Sequence, residues 1–136
     1  MPMNKFLSPS PIYQDLGLTI VRVITGLFMV YHGWEVFDAE TMRGYLEWEV
    51  FKHPSGKTWV YFGKITELIS GLLLAIGLFT RLGAFILLGT SAYIAFCVGH
   101  GIIWYNDQHP FMFVLLAIVY LTMGGGNWSL DKKLFA

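Results

Sequence analysis

One acidic residue inside a long apolar run constrains this chain more than any other feature. Residues 63–81 (GKITELISGLLLAIGLFTR) are apolar and long enough to cross a bilayer, for which about 20 residues suffice, yet Glu67 lies within them. A carboxylate at that depth costs about 2.5 kcal/mol or more. Gly63 and Gly71 flank it on the same helical face, where small residues allow a second helix to approach. We therefore expect Glu67 to face a partner helix or a wet cavity, and not lipid.

The composition of the 136 residues indicates one membrane domain. Hydrophobic residues make up 55% of the chain and charged residues only 13%, whereas soluble domains carry about 25% charged residues. Nine basic and nine acidic residues leave no basic excess, which argues against nucleic acid as a partner. Cys97 is the only cysteine, so this chain alone cannot form a disulfide or run a dithiol cycle.

Four apolar segments predict an all-α fold, a bundle of four transmembrane helices that forms a single domain over residues 1–136. We expect the spans at about 16–37, 59–79, 82–99 and 110–124. Between the first two, the polar loop 38–58 contains a short amphipathic helix at the membrane interface.

Four spans place both termini on one side of the membrane, and the basic residues predict which side that is. The side of the termini carries four of them and the opposite side three, and cytoplasmic loops carry the excess. We expect a multi-pass protein of a bacterial inner membrane with both termini in the cytoplasm. The two groups are Lys5, Arg81, Lys132 and Lys133 against Arg43, Lys52 and Lys57.

Two basic residues of the first span compete as partners of Glu67. Arg22 and Glu67 are offset by roughly 10 Å along the bilayer normal, which their two stems together can bridge. His32 is also within reach, and the sequence leaves this choice open. The cluster is either a structural ion pair or a site for a ligand or a proton. Lys64 is expected to extend to the interface, and Glu35 to point away from the bundle.

The predicted topology brings histidines from three helices to one level above Glu67. They are His32, His100 and His109. Imidazoles titrate near neutral pH, which suits them to proton transfer or to hydrogen bonding a carbonyl group. The simpler alternative is that they face headgroups and water separately. No HxxxH or HxH pair imposes a ligand geometry, so we predict no metal site.

Taken together, the segments resemble the DoxX family of small four-helix membrane proteins. The matching pieces are Arg22 with residues 31–33 (YHG), residues 67–71 (ELISG), residues 77–81 (GLFTR), His100, and Gly126 with residues 129–131 (SLD). The resemblance implies a polar core formed by Arg22, His32, Glu67 and His100. It also implies a link to quinone-dependent sulfur oxidation, to maturation of redox enzymes, or to assembly of other membrane proteins. His109-Pro110 departs from the family, in which many relatives carry a carboxylate there.

Our first functional hypothesis is a redox-associated subunit that binds a quinone-like molecule at a buried Arg/His/Glu cluster. In it, histidines hydrogen bond a carbonyl, Glu67 exchanges a proton, and tryptophans pack on the ring. The chain carries no flavin, haem or thiol-pair signature, so another protein or a dithiol supplies electrons. Candidate residues for ligand binding or proton exchange are Arg22, His32, Glu67, His100, His109, Trp34 and Trp104.

The alternative is a non-enzymatic membrane chaperone or assembly factor. Small residues such as Gly83, Gly89 and Thr90 would then form an exposed face on which client helices dock. Either hypothesis requires the lipid bilayer and a protein partner or a second copy of this chain. The residues do not decide whether the protein is an enzyme. A transporter is disfavoured because the sequence shows no internal repeat.

Overall fold

The computed structural model describes residues 2–136, and all regular secondary structure in that range is helical. The all-α prediction is therefore confirmed. The α-helices are α1 (Pro2–Leu7), α2 (Gln14–Gly33), α3 (Ala39–Leu46), α4 (Gly56–Ile76), α5 (Thr80–Tyr93), α6 (Gln108–Met123) and α7 (Leu130–Phe135). Short 3-10 segments at Trp34–Phe37 and Glu49–Phe51 follow α2 and α3, and a π-helical turn at Ile94–Val98 extends α5.

Three helical stretches are long and apolar enough to cross a membrane. They are Gln14–Phe37, Gly56–Ile76 and Thr80–Val98. Large apolar side chains on their outer faces are exposed, among them Phe28 and Phe85. Exposure of such side chains along long helices is what contact with lipid requires. The chain is a multi-pass membrane protein, and α6 adds a shorter apolar helix of 16 residues.

Glycines bring α2 and α4 into backbone contact. A Cβ atom on Gly26 would overlap the backbone of Ala75 and the carbonyl of Gly71, and one on Gly33 would overlap Leu68. Such close approach is the usual role of small residues in membrane helix pairs. Gly71 has the packing role expected for it, whereas Gly63 meets no described atom within 4 Å beyond its neighbours.

The core of the bundle lies between α2, α4, α5 and α6. Its buried residues are Met29, Leu74, Ala84, Leu87, Phe113, Ala117 and Tyr120. The Tyr120 hydroxyl donates a 2.7 Å hydrogen bond to the Leu18 carbonyl, which links α6 back to α2. A buried tyrosine hydroxyl needs such a partner because leaving it unpaired is costly.

The small-residue face proposed for client docking is mostly internal, which corrects that expectation. Gly83 is buried against Leu73 of α4. The Thr90 hydroxyl forms a 2.9 Å hydrogen bond with Thr66, also on α4. Only Gly89 faces outward with open space around it. The reason is that α5 uses its small residues to pack against α4 within this chain.

The helix α3 closes one end of the bundle. Asp38 caps its first turn by accepting hydrogen bonds from the backbone N–H groups of Glu40 and Thr41. On its inner face Met42 packs with Phe51 and Val60 in a second core. The short helix expected within the loop 38–58 is thus present, and it covers the ends of the long helices.

Candidate functional site

A cavity of about 220 Å³ lies under α3, where the ends of α2, α4, α5 and α6 meet. Most of its wall is apolar, and polar side chains enter it from α2, α4, α5 and α6. The aromatic residues that line it are Tyr45, Trp48, Phe51, Trp59, Tyr93 and Phe113. A concave, largely apolar space with a few polar groups is typical of small-molecule sites.

Two backbone features create this space. Gly63 lines the cavity, and the absence of a side chain one turn before Glu67 leaves the interior open. The π-helical turn contributes Ile94 and Val98 to the opposite wall. A π-turn is wider than an α-turn and often occurs at functional sites. No pattern in the sequence predicts this turn.

The Lys64 ammonium is the centre of a buried ionic cluster beside the cavity. Its Nζ lies 2.9 Å from Glu35 Oε2 and 3.1 Å from Glu67 Oε2. It also donates a 3.3 Å hydrogen bond to the His32 carbonyl and sits 4.7 Å from the centre of the Tyr45 ring. Glu67 is 6% exposed, so it faces protein and the cavity as expected.

This cluster corrects two expectations about α4 and the end of α2. Lys64 is buried instead of extending to the interface, because Glu67 follows it at i+3 and both face the bundle. Glu35 points inward because residues Trp34–Phe37 are in a 3-10 helix. A 3-10 helix turns 120° per residue, so projection along a regular α-helix misplaces the side chain.

Tyr45 extends the cluster into α3. Its hydroxyl donates a 2.6 Å hydrogen bond to Glu35 Oε2. Burial, together with this hydrogen bond to a carboxylate, raises the pKa of Tyr45. Tyr45 therefore stays a neutral donor. Its place in a short amphipathic helix is the only feature of the sequence that points to this role.

One oxygen of Glu67 retains unused hydrogen-bonding capacity. Oε2 is buried and accepts no hydrogen bond of good geometry from any described residue. The ammonium of Lys64 lies close enough for ion pairing, but its direction does not satisfy a hydrogen bond. A buried carboxylate oxygen of this kind can accept a hydrogen bond from a ligand in the cavity.

Two of the three predicted histidines meet at the cavity. His32 and His109 both line it, with their rings edge to face and centroids 5.7 Å apart. The His109 ring also packs edge-on against Phe113 at 5.2 Å. His100 is exposed in the loop after α5 and lies outside the cavity, which corrects its place among the site residues.

The loop after α5 is instead organised by Asp107. Its carboxylate accepts hydrogen bonds from the backbone N–H groups of Ile102 at 2.9 Å and His100 at 3.0 Å. These two bonds lower the pKa of Asp107. His100 thus contributes its backbone to the fold of this loop, and its imidazole remains in solvent or headgroups.

The predicted tryptophans are not those that line the cavity. Trp34 is 61% exposed and packs against Phe37, and Trp104 is 86% exposed in the second loop. Trp48 and Trp59 line the cavity in their place. The Trp59 ring stacks on Tyr93 with centroids 6.0 Å apart.

Arg22 belongs to the opposite end of the bundle, which corrects its expected place beside Glu67. Its guanidinium donates to three backbone carbonyls, those of Leu74 at 3.0 Å, Trp128 at 3.1 Å, and Gly125. The side chain is 2% exposed. Its charge is therefore solvated by carbonyl dipoles of α4 and of the segment after α6, and the cluster at the cavity contains no arginine.

That opposite end is secured by a second contact from the C-terminal segment. The Asp131 carboxylate accepts hydrogen bonds from the backbone N–H groups of Phe79 at 2.6 Å and Thr80 at 2.8 Å. It thereby caps the start of α5. Within residues 2–136 no three His, Cys, Asp or Glu side chains are grouped closely enough to hold a metal ion.

Comparison with known proteins gives a family match. The DoxX family model matches residues 17–100, which contain His32, Lys64 and Glu67. A protein of Haemophilus influenzae named only "Uncharacterized protein" is 25% identical over 130 residues, covering 90% of this chain and 94% of that protein. No solved structure matches the chain. Because the family model covers more than half of its length, this chain belongs to the DoxX family.

Proposed function

We propose that the protein is a redox-associated membrane subunit that binds a quinone-like molecule in the cavity. The observation that carries this proposal is the buried Glu67 carboxylate, which has unused hydrogen-bonding capacity and opens onto aromatic walls. Ionisable residues buried in a membrane protein usually mark a functional site. The ionic cluster around Lys64 holds the carboxylate at the cavity wall.

The size of the cavity favours a single-ring head group. Its volume of about 220 Å³ is below the roughly 300–1,000 Å³ of sites for drug-sized ligands. Trp48 and Trp59 both line the cavity and can pack on a planar ring, the role first assigned to Trp34 and Trp104. His32 and His109 supply hydrogen bonds to ligand oxygens, and Glu67 exchanges a proton.

The membrane arrangement belongs to the same proposal. The helix α6 crosses the bilayer with α2, α4 and α5, so that four spans form one domain over residues 1–136. Its apolar composition and its hydrogen bond from Tyr120 to α2 support this. Both termini are cytoplasmic and the membrane is a bacterial inner membrane. The electrons come from a partner protein or a dithiol delivered to the cavity.

Binding is tested with the protein purified in nanodiscs that retain native lipid. Solvent extraction should recover a quinone, and calorimetry should show that a short-chain quinone binds. Gly63→Phe should reduce affinity by at least about tenfold, because a ring at this position fills the cavity and its Cβ meets open space.

Gly89→Phe is the matched control. It is also a helical glycine with open space around its Cβ, but it lies outside the cavity and should bind the quinone as the unaltered protein does. Absence of quinone from the extract, together with no binding of added quinone, would refute the proposal. A single dominant crosslinked client in cells would then favour the assembly-factor alternative.

A further inference from the structure

We infer that the cavity prefers the hydroxyl-bearing, reduced form of its ligand, a hydroquinone or a related phenol, with Glu67 as the hydrogen-bond acceptor. This inference rests on the proposed function and specifies which ligand oxygen chemistry fits. Only the binding of the ligand is considered. The preference follows from the hydrogen bonds that the donors and acceptors near Glu67 already form within the protein.

The first step is that protein oxygens already surround the Lys64 ammonium. An ammonium carries three N–H groups. Three oxygens lie within 3.3 Å of Lys64 Nζ, one each from Glu35, Glu67 and the His32 carbonyl. The Tyr45 ring occupies a further side of the ammonium at 4.7 Å. A carbonyl oxygen of a ligand must therefore compete with these three oxygens for the cation.

The second step concerns the hydroxyl groups near the cluster. The Tyr45 hydroxyl donates to Glu35, and the hydroxyl of Thr90 is paired with that of Thr66. Ser91 also lines the cavity, and its hydroxyl can donate or accept. It therefore fits either form of the ligand and does not discriminate between them.

The remaining donors lie on lining side chains that are exposed or partly exposed, and they include the Tyr93 hydroxyl, which can donate or accept. The indole N–H groups of Trp48 and Trp59 belong to residues that are about half exposed. His32 and His109 present one donor and one acceptor each when neutral, so they also fit both forms. Glu67 is the buried lining group whose ionised form only accepts.

Charge leads to the same preference. In the cluster two carboxylates, Glu35 and Glu67, face one ammonium. The cavity lining also contains the imidazoles of His32 and His109 and the hydroxyl of Ser91. With the imidazoles neutral, one negative charge is left in excess. A ligand hydroxyl stabilises that charge, whereas a carbonyl oxygen at the same place repels it.

The test compares three ligands of the same ring and tail on the protein in nanodiscs, under argon. They are a short-chain hydroquinone, the matching quinone, and the hydroquinone dimethyl ether, which cannot donate. Calorimetry should show that the hydroquinone binds at least about tenfold tighter than the other two, since a hydrogen bond to a charged acceptor has that strength.

Glu67→Gln should reduce this advantage to less than about threefold, because the acceptor loses its charge. The variant leaves Glu35 paired with Lys64, so the cluster becomes neutral. Glu49→Gln is the matched control, since Glu49 is exposed and pairs only with the exposed Lys52. If Glu67→Gln does not fold, the comparison of hydroquinone with its dimethyl ether on the unaltered protein still decides.

Equal or tighter binding of the quinone would overturn this inference and leave the proposed function standing. It would mean that Glu67 carries a proton and donates to the carbonyl. Binding of none of the three ligands would overturn the proposed function, and the inference with it.

Discussion

Lys64 neutralises Glu67 from within the same helix, with Nζ of the one 3.1 Å from Oε2 of the other. The pair is shared with Glu35, which reaches the same ammonium from the end of α2. A carboxylate in the apolar part of the bundle is thus compensated locally, and the cluster also links α2, α3 and α4.

Removing the cation should destabilise the protein strongly. In Lys64→Met, the buried Glu67 and the partly buried Glu35 are left without a counter-charge, and we expect the free energy of unfolding to fall by roughly 3 kcal/mol. Thermal unfolding in nanodiscs measures this change. The double variant Lys64→Met/Glu67→Gln should be more stable than Lys64→Met, since one of the unpaired charges is gone.

Lys52→Met is the control for this experiment. Lys52 forms an ion pair with Glu49 on the surface, and exposed pairs contribute less than about 1 kcal/mol. An unchanged melting temperature in Lys64→Met would show that Lys64 does not neutralise the two carboxylates.

Arg22 should control the order of the C-terminal segment and not ligand binding. Arg22→Lys keeps the charge but loses the planar donor group that reaches the carbonyls of Leu74, Gly125 and Trp128. We expect stability to fall by roughly 2 kcal/mol and hydrogen exchange to accelerate after residue 123.

Arg43→Lys is the control, because Arg43 is exposed on α3 and its side chain hydrogen bonds to the Ala39 carbonyl of its own helix. Ligand affinity should stay the same in both variants. A loss of affinity in Arg22→Lys without a change in exchange at the C-terminal segment would place Arg22 at the ligand, against the structure.

The contact between α2 and α4 should tolerate no side chain at Gly26. In Gly26→Ala the new Cβ would overlap the backbone of Ala75 and the carbonyl of Gly71, neither of which can rotate away. Overpacking of this kind costs about 1–3 kcal/mol. A lower melting temperature is the expected result.

Gly17→Ala is the matched control for Gly26→Ala. Gly17 lies in the same helix, and no described atom lies within 4 Å of the place where an alanine Cβ would be. It should be neutral or more stable, because alanine favours helices over glycine by about 0.5–1 kcal/mol. Equal melting temperatures for the two variants would contradict the close approach of α2 and α4.

The loop held by Asp107 should depend on pH only in acid. Hydrogen bonds from Ile102 and His100 lower the pKa of Asp107, so the folded loop favours the carboxylate. Its contribution to stability is complete above the unfolded-state value of about 3.9 and is lost as pH falls through the lower, folded-state value. The NMR signal of the Ile102 amide should be unchanged from pH 7 to 5.

Asp107→Asn should loosen this loop throughout that range and remove the acid transition. A transition between pH 7 and 6 in the unaltered protein would contradict the prediction, because it would point to a histidine and not to Asp107 as the group that holds the loop.

The sequence by itself determined the class of fold and the importance of Glu67. Long apolar runs and a low charge content leave only membrane helices as a stable solution. The burial of Glu67 could also be predicted from its neighbours in the sequence, because a carboxylate within an apolar run must avoid lipid. His32 and His109 reached the cavity as expected, because each lies at the end of a helix that the topology brings to one level.

Only the tertiary structure decided which cation meets Glu67 and where Arg22 is used. Long basic side chains reach farther than the uncertainty of helix register, so several pairings satisfy the same spacing. The choice came from nonlocal contacts. A 3-10 turn directs Glu35 inward, backbone contact at Gly26 sets α2 against α4, and carbonyls some 100 residues downstream of Arg22 capture its guanidinium. None of these contacts is encoded in a local pattern, because each depends on how separate segments pack.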